Sequence, residues 1–364
     1  MQTKTRSRTG WLPTIFLVAL FCAIAVLGAF WITPDNTRTI TGAVELPAYS
    51  TQECQPLGEG AAYYDGTLLY ALRGNGTQRW SYLAGANAGF AVGEGGVATW
   101  TGAQVTLLGR DNGSTVFSVT MAQTVQSAHA GSQYVAVCTG AEDDATIVIL
   151  DLSGKQIDSI AKPNCTVLDY GFFNNGNLFW LMTLDTEGTV PVSSLNTYKP
   201  GKMETGSIAE SDQIVYRVLF HATQIRAVGT TYMRSYTYQG IEDAASRVLV
   251  YGWYLDDIGG GGDDPLLAFV AMDETGGGQG IQDVRLLKGS VDRTLRLPYK
   301  CFDIVAGSDK VYGFNGEYCV VGTLNSAKTT IYRMPVSADR VIGVTDDGKA
   351  LVASMGKVYL IPLP

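Results

Sequence analysis

Thr67-Leu68-Leu69-Tyr70-Ala71-Leu72, then Arg73-Gly74-Asn75-Gly76-Thr77, then Gln78-Arg79-Trp80-Ser81-Tyr82, reads as a strand, a tight turn and a second strand. Asn-Gly is the favoured pair of a type I′ hairpin, whose two central residues both need positive φ. The unit recurs twice. Gln104-Val105-Thr106-Leu107-Leu108 turns at Asn112-Gly113 into Thr115-Val116-Phe117-Ser118-Val119. Thr146-Ile147-Val148-Ile149-Leu150-Asp151 turns at Ser153-Gly154 into Gln156-Ile157-Asp158-Ser159-Ile160. The turn glycines 76, 113 and 154 lie 37 and 41 residues apart.

Weaker copies turn at Pro200-Gly201, Thr275-Gly276 and Asn325-Ser326. Lys357-Val358-Tyr359-Leu360-Ile361 is a last strand with no partner after it. A period near 40 residues with about four short strands per unit predicts an all-β chain folded as a β-propeller. A solenoid would repeat over a shorter period and an immunoglobulin array over units near 100 residues. Six turns plus the unpartnered strand predict about seven blades. The 75-residue interval from Gly201 to Gly276 holds either two blades or one blade with an insertion around 230–265. Residues 37–46 are the candidate outer strand of the last blade, a pairing that closes the ring and removes an exposed edge.

Composition agrees. The 364 residues include 43 glycines, about 12% against a usual ~7%, and only 16% are charged against ~25%. With 46% hydrophobic residues the chain is not disordered, and so much glycine is incompatible with a helix-rich fold. A net charge of -8 argues against gripping a phosphate backbone, so no nucleic-acid partner is expected. Only His129 and His221 are present, which leaves little room for histidine metal sites.

No charge lies between Arg8 and Asp35. The apolar core from 11 to 32 would make a helix about 33 Å long, close to the ~30 Å hydrocarbon thickness. Trp11 stands at one end and Phe30 and Trp31 at the other, where aromatic rings favour the headgroup level. Lys4, Arg6 and Arg8 precede it and keep the N-terminus cytoplasmic by the positive-inside bias. The expected organisation is a basic tail at 1–10, a transmembrane helix at 11–33 and an extracytoplasmic propeller at 37–364. The competing reading is a signal peptide cleaved near Ala23-Ile24-Ala25. The plasma membrane is the expected location, with the acidic outer part standing off anionic lipid.

Asp65-Gly66-Thr67-Leu68-Leu69-Tyr70-Ala71-Leu72, with Gly76 and Trp80 after it, resembles the repeat of PQQ-type (quinoprotein-like) propellers: a Tyr-Ala-Leu strand, a turn closed by glycine, and tryptophan four residues on. The resemblance implies radially arranged four-stranded blades around a channel. Its members include quinone-dependent dehydrogenases and non-enzymatic scaffolds such as the outer-membrane assembly lipoprotein. The dehydrogenases hold their quinone with adjacent cysteines, a calcium bound by Asp, Asn and Glu, and a stacking tryptophan. This chain has no adjacent cysteine pair and repeats the tryptophan cleanly in one blade, so no cofactor is expected. The basic tail, single apolar segment and degenerate repeat are also similar to an uncharacterised family of single-pass Gram-positive surface propellers, which implies no function.

Cys54, Cys138, Cys165, Cys301 and Cys319 lie beyond the apolar segment, an odd number, so at least one is unpaired in a monomer. Cys301 and Cys319 are a candidate disulfide across neighbouring strands of one blade, and Cys138 and Cys165 one between blades; buried thiols acting as small apolar residues are the alternative. Asp256, Asp257, Asp263 and Asp264 flank Gly259 to Gly262 and are the candidate calcium ligands, although the EF-hand spacing is missing. A solvated loop is the plainer reading. Gly276-Gly277-Gly278-Gln279-Gly280 lacks the lysine and spacing of a phosphate loop.

Tyr232, Arg234, Tyr236 and Tyr238 share one face of an alternating strand, and Tyr251, Trp253 and Leu255 one face of the next. An exposed aromatic face would suit a sugar or peptide; the alternative is packing between blades. No catalytic set is recognisable, and no Gly-x-Ser-x-Gly elbow is present. The expected function is binding or scaffolding of a protein or glycan at the cell surface. The alternative is a glycan hydrolase or lyase that uses paired carboxylates at the channel.

Overall fold

The computed structural model describes residues 37–275 and 280–364. Its hairpins follow the glycines: Gly76, Gly113, Gly154 and Gly201 all have φ between 65° and 84°. The turn type differs from expectation. Of Asn75 and Gly76 only Gly76 has positive φ; its N–H donates to Arg73 O at 2.9 Å, and Asn75 Oδ1 accepts from Thr77 N at 3.1 Å. The Asn75 side chain replaces the second left-handed residue, and a bulge between Ala71 and Leu72 absorbs the extra residue. Asp151 to Lys155 repeats the device, with Gly154 N donating to Asp151 O at 2.9 Å.

Among the described residues eight antiparallel sheets follow in chain order. Blades 1 to 7 occupy residues 53–83, 89–120, 125–163, 166–210, 215–249, 253–301 and 303–333, each running from its first strand innermost to its fourth outermost. Blade 8 takes three strands from 340–362 and its outermost strand, Val44–Tyr49, from the other end of the chain. The expected closure by an N-terminal strand is therefore present, a few residues later than 37–46. A short additional strand ending at Thr39 joins the outer edge of blade 7, and Ile40 N donates to Arg333 O beside it.

The eight hydrophobic clusters among the described residues each straddle two consecutive blades. Leu57, Leu69 and Trp80 of blade 1 pack on Phe90, Val97 and Leu108 of blade 2. Leu351, Val358 and Leu360 of blade 8 pack on Ala61, Tyr63 and Leu72 of blade 1, which closes the ring. Strand alternation divides each sheet between two joints: Leu266, Ala268 and Val270 face blade 7, while Leu267 and Phe269 face blade 5. Because both faces are buried, the middle strands are apolar throughout rather than alternately polar.

Eight blades replace the expected seven. The interval from Gly201 to Gly276 does contain two blades, but the final hairpin of blade 5 is a long loop between Tyr232–Tyr236 and Val248–Leu249 rather than a glycine turn. The expected turn at Thr275-Gly276 falls between the second and third strands of blade 6, at the border of the undescribed residues. The final hairpin of that blade turns at Gly289, φ 56°.

In blades 1, 2, 3 and 6 the third residue of the outer strand meets the last hairpin turn of the next blade. A Cβ on Gly113 would stand 2.6 Å from the Trp80 ring, whose Nε1 donates to Arg110 O at 3.1 Å. A Cβ on Gly154 would stand 3.0 Å from Phe117. Asp158 Oδ2 accepts from Gly201 N at 2.9 Å, and Arg293 Nη1 donates to Leu324 O at 3.3 Å. The position persists while its chemistry changes from indole to phenyl, carboxylate and guanidinium.

Candidate functional site

The innermost strands carry the polar side chains that bridge one blade to the next. Gln55 accepts from Val92 N at 2.9 Å and donates to Phe90 O at 3.1 Å. Tyr216 OH accepts from Leu255 N at 2.9 Å, Asp257 Oδ2 from Ala306 N at 2.7 Å, and Asp303 Oδ2 from Val341 N at 3.2 Å. Each satisfies an edge amide that its own sheet leaves open.

Across blades 6, 7 and 8 these strands border an open cavity of about 500 Å³, lined by Asp256, Asp257, Asp303, Val305, Ile342 and Val344 among others. A bulge between Leu255 and Asp257 sets the two adjacent carboxylates into the same wall. Burial, then the charges of Asp303 and Asp257, pushes the Asp256 carboxyl up to about 7. Burial also raises Asp257 and Asp303, each opposed by the backbone N–H it binds. At neutral pH the wall thus holds a cluster of carboxyls in which Asp256 is shared between its charged and neutral forms. That suits a positively charged guest, and it also places a proton donor and a proton acceptor side by side.

The four aspartates expected on one loop are separated. Asp256 and Asp257 belong to the strand Trp253–Gly259, whereas Asp263 accepts from Ala222 N at 2.9 Å and Asp264 from Gly289 N at 2.9 Å. Among the described residues no group of three His, Cys, Asp or Glu is arranged to hold a metal ion. The two halves of the loop are occupied by separate backbone amides.

The aromatic strand is turned into the joint between blades 4 and 5. Arg234 and Tyr236 are buried. Tyr236 OH donates to Glu210 Oε1 at 2.5 Å, and Arg234 Nη1 donates to Glu210 Oε2 and Asp212 Oδ1, both at 3.0 Å. Tyr232 lies against the Arg234 guanidinium, 5.6 Å from its ring centre. Tyr238 diverges to the His221 turn, donating to His221 O at 2.5 Å. Tyr251, exposed, and Trp253, half-buried, sit in and after the link from blade 5 to blade 6, at the opposite end of the blade from Tyr238.

Cys301 ends the outer strand of blade 6 and Cys319 lies in blade 7, so the two do not share a blade. Both are free, buried thiols, as are Cys54 and Cys138, and Cys165 is free. Burial raises Cys301 to about 12. His129 stands in the wall of a smaller cavity, about 290 Å³, with Ser127, Cys138 and Asp169; burial lowers its pKa against the opposing pull of Asp169 and Glu94.

Eight radial four-stranded units, each joined to the next and closed by the chain ends, decide the class. The fold is a β-propeller. It is similar to the C-terminal WD40 domain of Sif2 (TM-score 0.63, 14% identity, 90% of this chain and 99% of that one). It is similar also to Sqt1 of Saccharomyces cerevisiae (0.61, 10%, 90% and 100%) and to BamB from Moraxella catarrhalis (0.54, 11%, 89% and 99%). No family model and no curated protein sequence matches the chain. At these identities the likeness concerns the fold alone.

Asp303 escaped the sequence reading. Its signal was Asp303-Ile304, which repeats Asp257-Ile258 at the corresponding strand of the preceding blade. The expected span at 11–33 and the tail at 1–10 lie outside the described residues. Among the described residues no helix is long and apolar enough to cross a membrane.

Proposed function

We propose that this propeller is a binding or scaffolding module that takes a basic side chain of a protein partner into its channel wall. The carrying observation is the cavity of about 500 Å³ where Asp256, Asp257 and Asp303 converge from two inner strands. The site is placed outside the cytoplasm of a membrane-anchored protein, supported by the uncharged run before residue 35 and the three cations that precede it. A relation to PQQ-type propellers is supported by Trp80 seated on Gly113, and the Gram-positive surface family by the layout of tail, apolar segment and repeat.

The test is crosslinking in intact cells followed by capture, comparing the wild type with Asp256→Asn/Asp303→Asn. The paired variant is expected to lose the principal crosslinked partner while melting at an unchanged or higher temperature. Recovery of the same partners in equal amount refutes the channel assignment.

A second reading is carboxylate chemistry on a surface glycan, favoured by the Asp256 carboxyl near neutrality beside two other carboxylates. It predicts glycan cleavage whose rate inflects near pH 7 and disappears in Asp256→Asn. Absence of cleavage by the wild type across neutral and anionic surface glycans removes it.

A further inference from the structure

The two ends of the propeller differ in charge. One end carries the links between consecutive blades and the turn between the second and third strands of each blade. Among the described residues these links and turns hold nine Asp or Glu and no Lys or Arg. The turns of the opposite end hold ten Asp or Glu and five Lys or Arg among the described residues. Pairing differs as well. At the opposite end Arg110 binds Asp346 at 2.9 Å and Arg247 binds Glu242 at 2.8 Å. At the link end the carboxylates of Glu142, Asp143, Glu187, Asp273 and Glu317 have neither a hydrogen bond nor an ion pair among the described residues. The exposed cations nearest this end, Lys300, Arg333 and Arg340, stand at strand ends in blades 6, 7 and 8.

The link end also exposes large apolar side chains. Val190, Ile214, Tyr251, Met272, Phe302 and Met355 all lie in its described links and turns, against Leu152 and Ile241 in those of the opposite end. Three of the six come together through touching loops. Thr230 N donates to Ile214 O at 3.0 Å, Val250 N to Thr231 O at 2.8 Å, and Met272 N to Gly252 O at 3.0 Å. This series sets Ile214, Tyr251 and Met272 in neighbouring loops at the ends of blades 5 and 6, with Asp273 beside them. Tyr251 stands out furthest of the three, 74% exposed.

Tyrosine and methionine are enriched where proteins meet, and a charged rim around such anchors selects the partner by its opposite charge. Carboxylates without interleaved cations repel anionic lipid. A second copy of the chain would oppose them with an end that is itself acidic. A polypeptide segment rich in lysine and arginine complements them, and its own apolar side chains cover the exposed ones. We infer that the link end is a docking face for a basic segment of another protein, anchored on Tyr251 and Met272 and oriented by the unpaired carboxylates around them. This rests on the reading of the propeller as a protein-binding module, but it uses none of the residues that line the channel cavity.

The test is site-specific photo-crosslinking of the full chain in intact cells. The replacements are Tyr251→p-benzoylphenylalanine at the link end and Ile241→p-benzoylphenylalanine at the opposite end, two positions of similar exposure, 74% and 66%. Mass spectrometry of the Tyr251 adduct is expected to identify a segment of a second protein with net positive charge. Neutralising the five unpaired carboxylates (Glu142→Gln, Asp143→Asn, Glu187→Gln, Asp273→Asn, Glu317→Gln) is expected to lower that adduct by about tenfold. The adduct is expected to persist in Asp256→Asn/Asp303→Asn, so failure of the channel assignment leaves this result readable. An adduct from Ile241 alone keeps the propeller a protein-binding module and overturns the docking face. Adducts to lipid, to a second copy or to an acidic segment, no adduct from Tyr251, or a yield unmoved by the five neutral substitutions overturn it as well.

Discussion

The joint between blades 1 and 2 and the joint between blades 4 and 5 solve one packing problem with opposite chemistry. In the first, the Trp80 ring covers Gly113 and an apolar cluster fills the space behind it. In the second, Arg234 links Glu210 and Asp212 across the blades, and glycines bring backbone against backbone: a Cβ on Gly206 would meet Tyr238 O at 2.4 Å, and one on Gly240 would meet Ser207 O at 2.4 Å. The first joint leaves a motif in the sequence. The second leaves none at the regular spacing, since its partners are scattered over residues 206–247 and its turn glycine, Gly240 at φ 83°, lies inside the long final loop of blade 5.

The largest expected effect separates the two joints. Arg234→Met leaves the Glu210 carboxylate, which is 2% exposed, with hydrogen bonds from Tyr236 and Gln213 but no countercharge, and is expected to cost about 3–5 kcal/mol in chemical denaturation. The double variant Arg234→Met/Glu210→Leu should recover most of that loss. A neutral single variant would mean that the apolar cluster alone holds blades 4 and 5 together.

Gly113→Ala probes the dry joint. It forces a Cβ against the Trp80 ring and a left-handed φ of 65° on alanine, for an expected loss of about 2–3 kcal/mol. Gly102→Ala has a similar φ of 58° but open space around it, so it isolates the backbone share, about 1 kcal/mol. Equal losses in both would dissolve the docking role of Gly113.

The channel sharpens the comparison through pH. Asp256 binds its proton more tightly folded than unfolded, so folding favours the protonated form. Stability is therefore intact below the unfolded carboxyl range near 4 and falls as pH rises toward about 7. Asp256→Asn removes that loss: its Tm should match the wild type at pH 4 and exceed it by about 2–4 °C at pH 8. A constant difference at both pH values contradicts the assignment.

The smallest effect belongs to the rim of the dry joint. Arg79 and Asp111 pair at 3.1 Å, but Asp111 is 87% exposed. Arg79→Ala should change stability by less than about 1 kcal/mol. A larger loss would show that charge, and not the indole, secures blades 1 and 2.

The hairpins of the first four blades were legible because a sharp turn is a local event. Gly76, Gly113, Gly154 and Gly201 each stand where the backbone is left-handed, and neighbouring residues suffice to announce it. Blade 5 was not legible as a blade: its final hairpin spends eleven residues, including the short helix Ala244–Ser246, where the others spend a few. The candidate sites fared differently again. Tyr232, Arg234 and Tyr236 alternate as a strand should, but alternation names two faces without saying which neighbour covers each, and here blade 4 does. Asp303 and Asp256 meet across 47 positions of sequence, as do Tyr238 and Phe173 across 65.

The amino-acid order by itself determined the short strands, the glycine turns and the pairing of the chain ends. Val44–Tyr49 finds Lys357–Pro362 because the last blade otherwise ends on an open edge. Only the tertiary structure decided the number of blades, the burial of Arg234 and the convergence of carboxylates in the channel. The physical reason lies in what each joint demands. A turn needs a backbone angle that few residues tolerate, so the sequence must declare it. A contact between blades needs only two surfaces that fit, and an indole, a carboxylate or a guanidinium at the same position serves equally well.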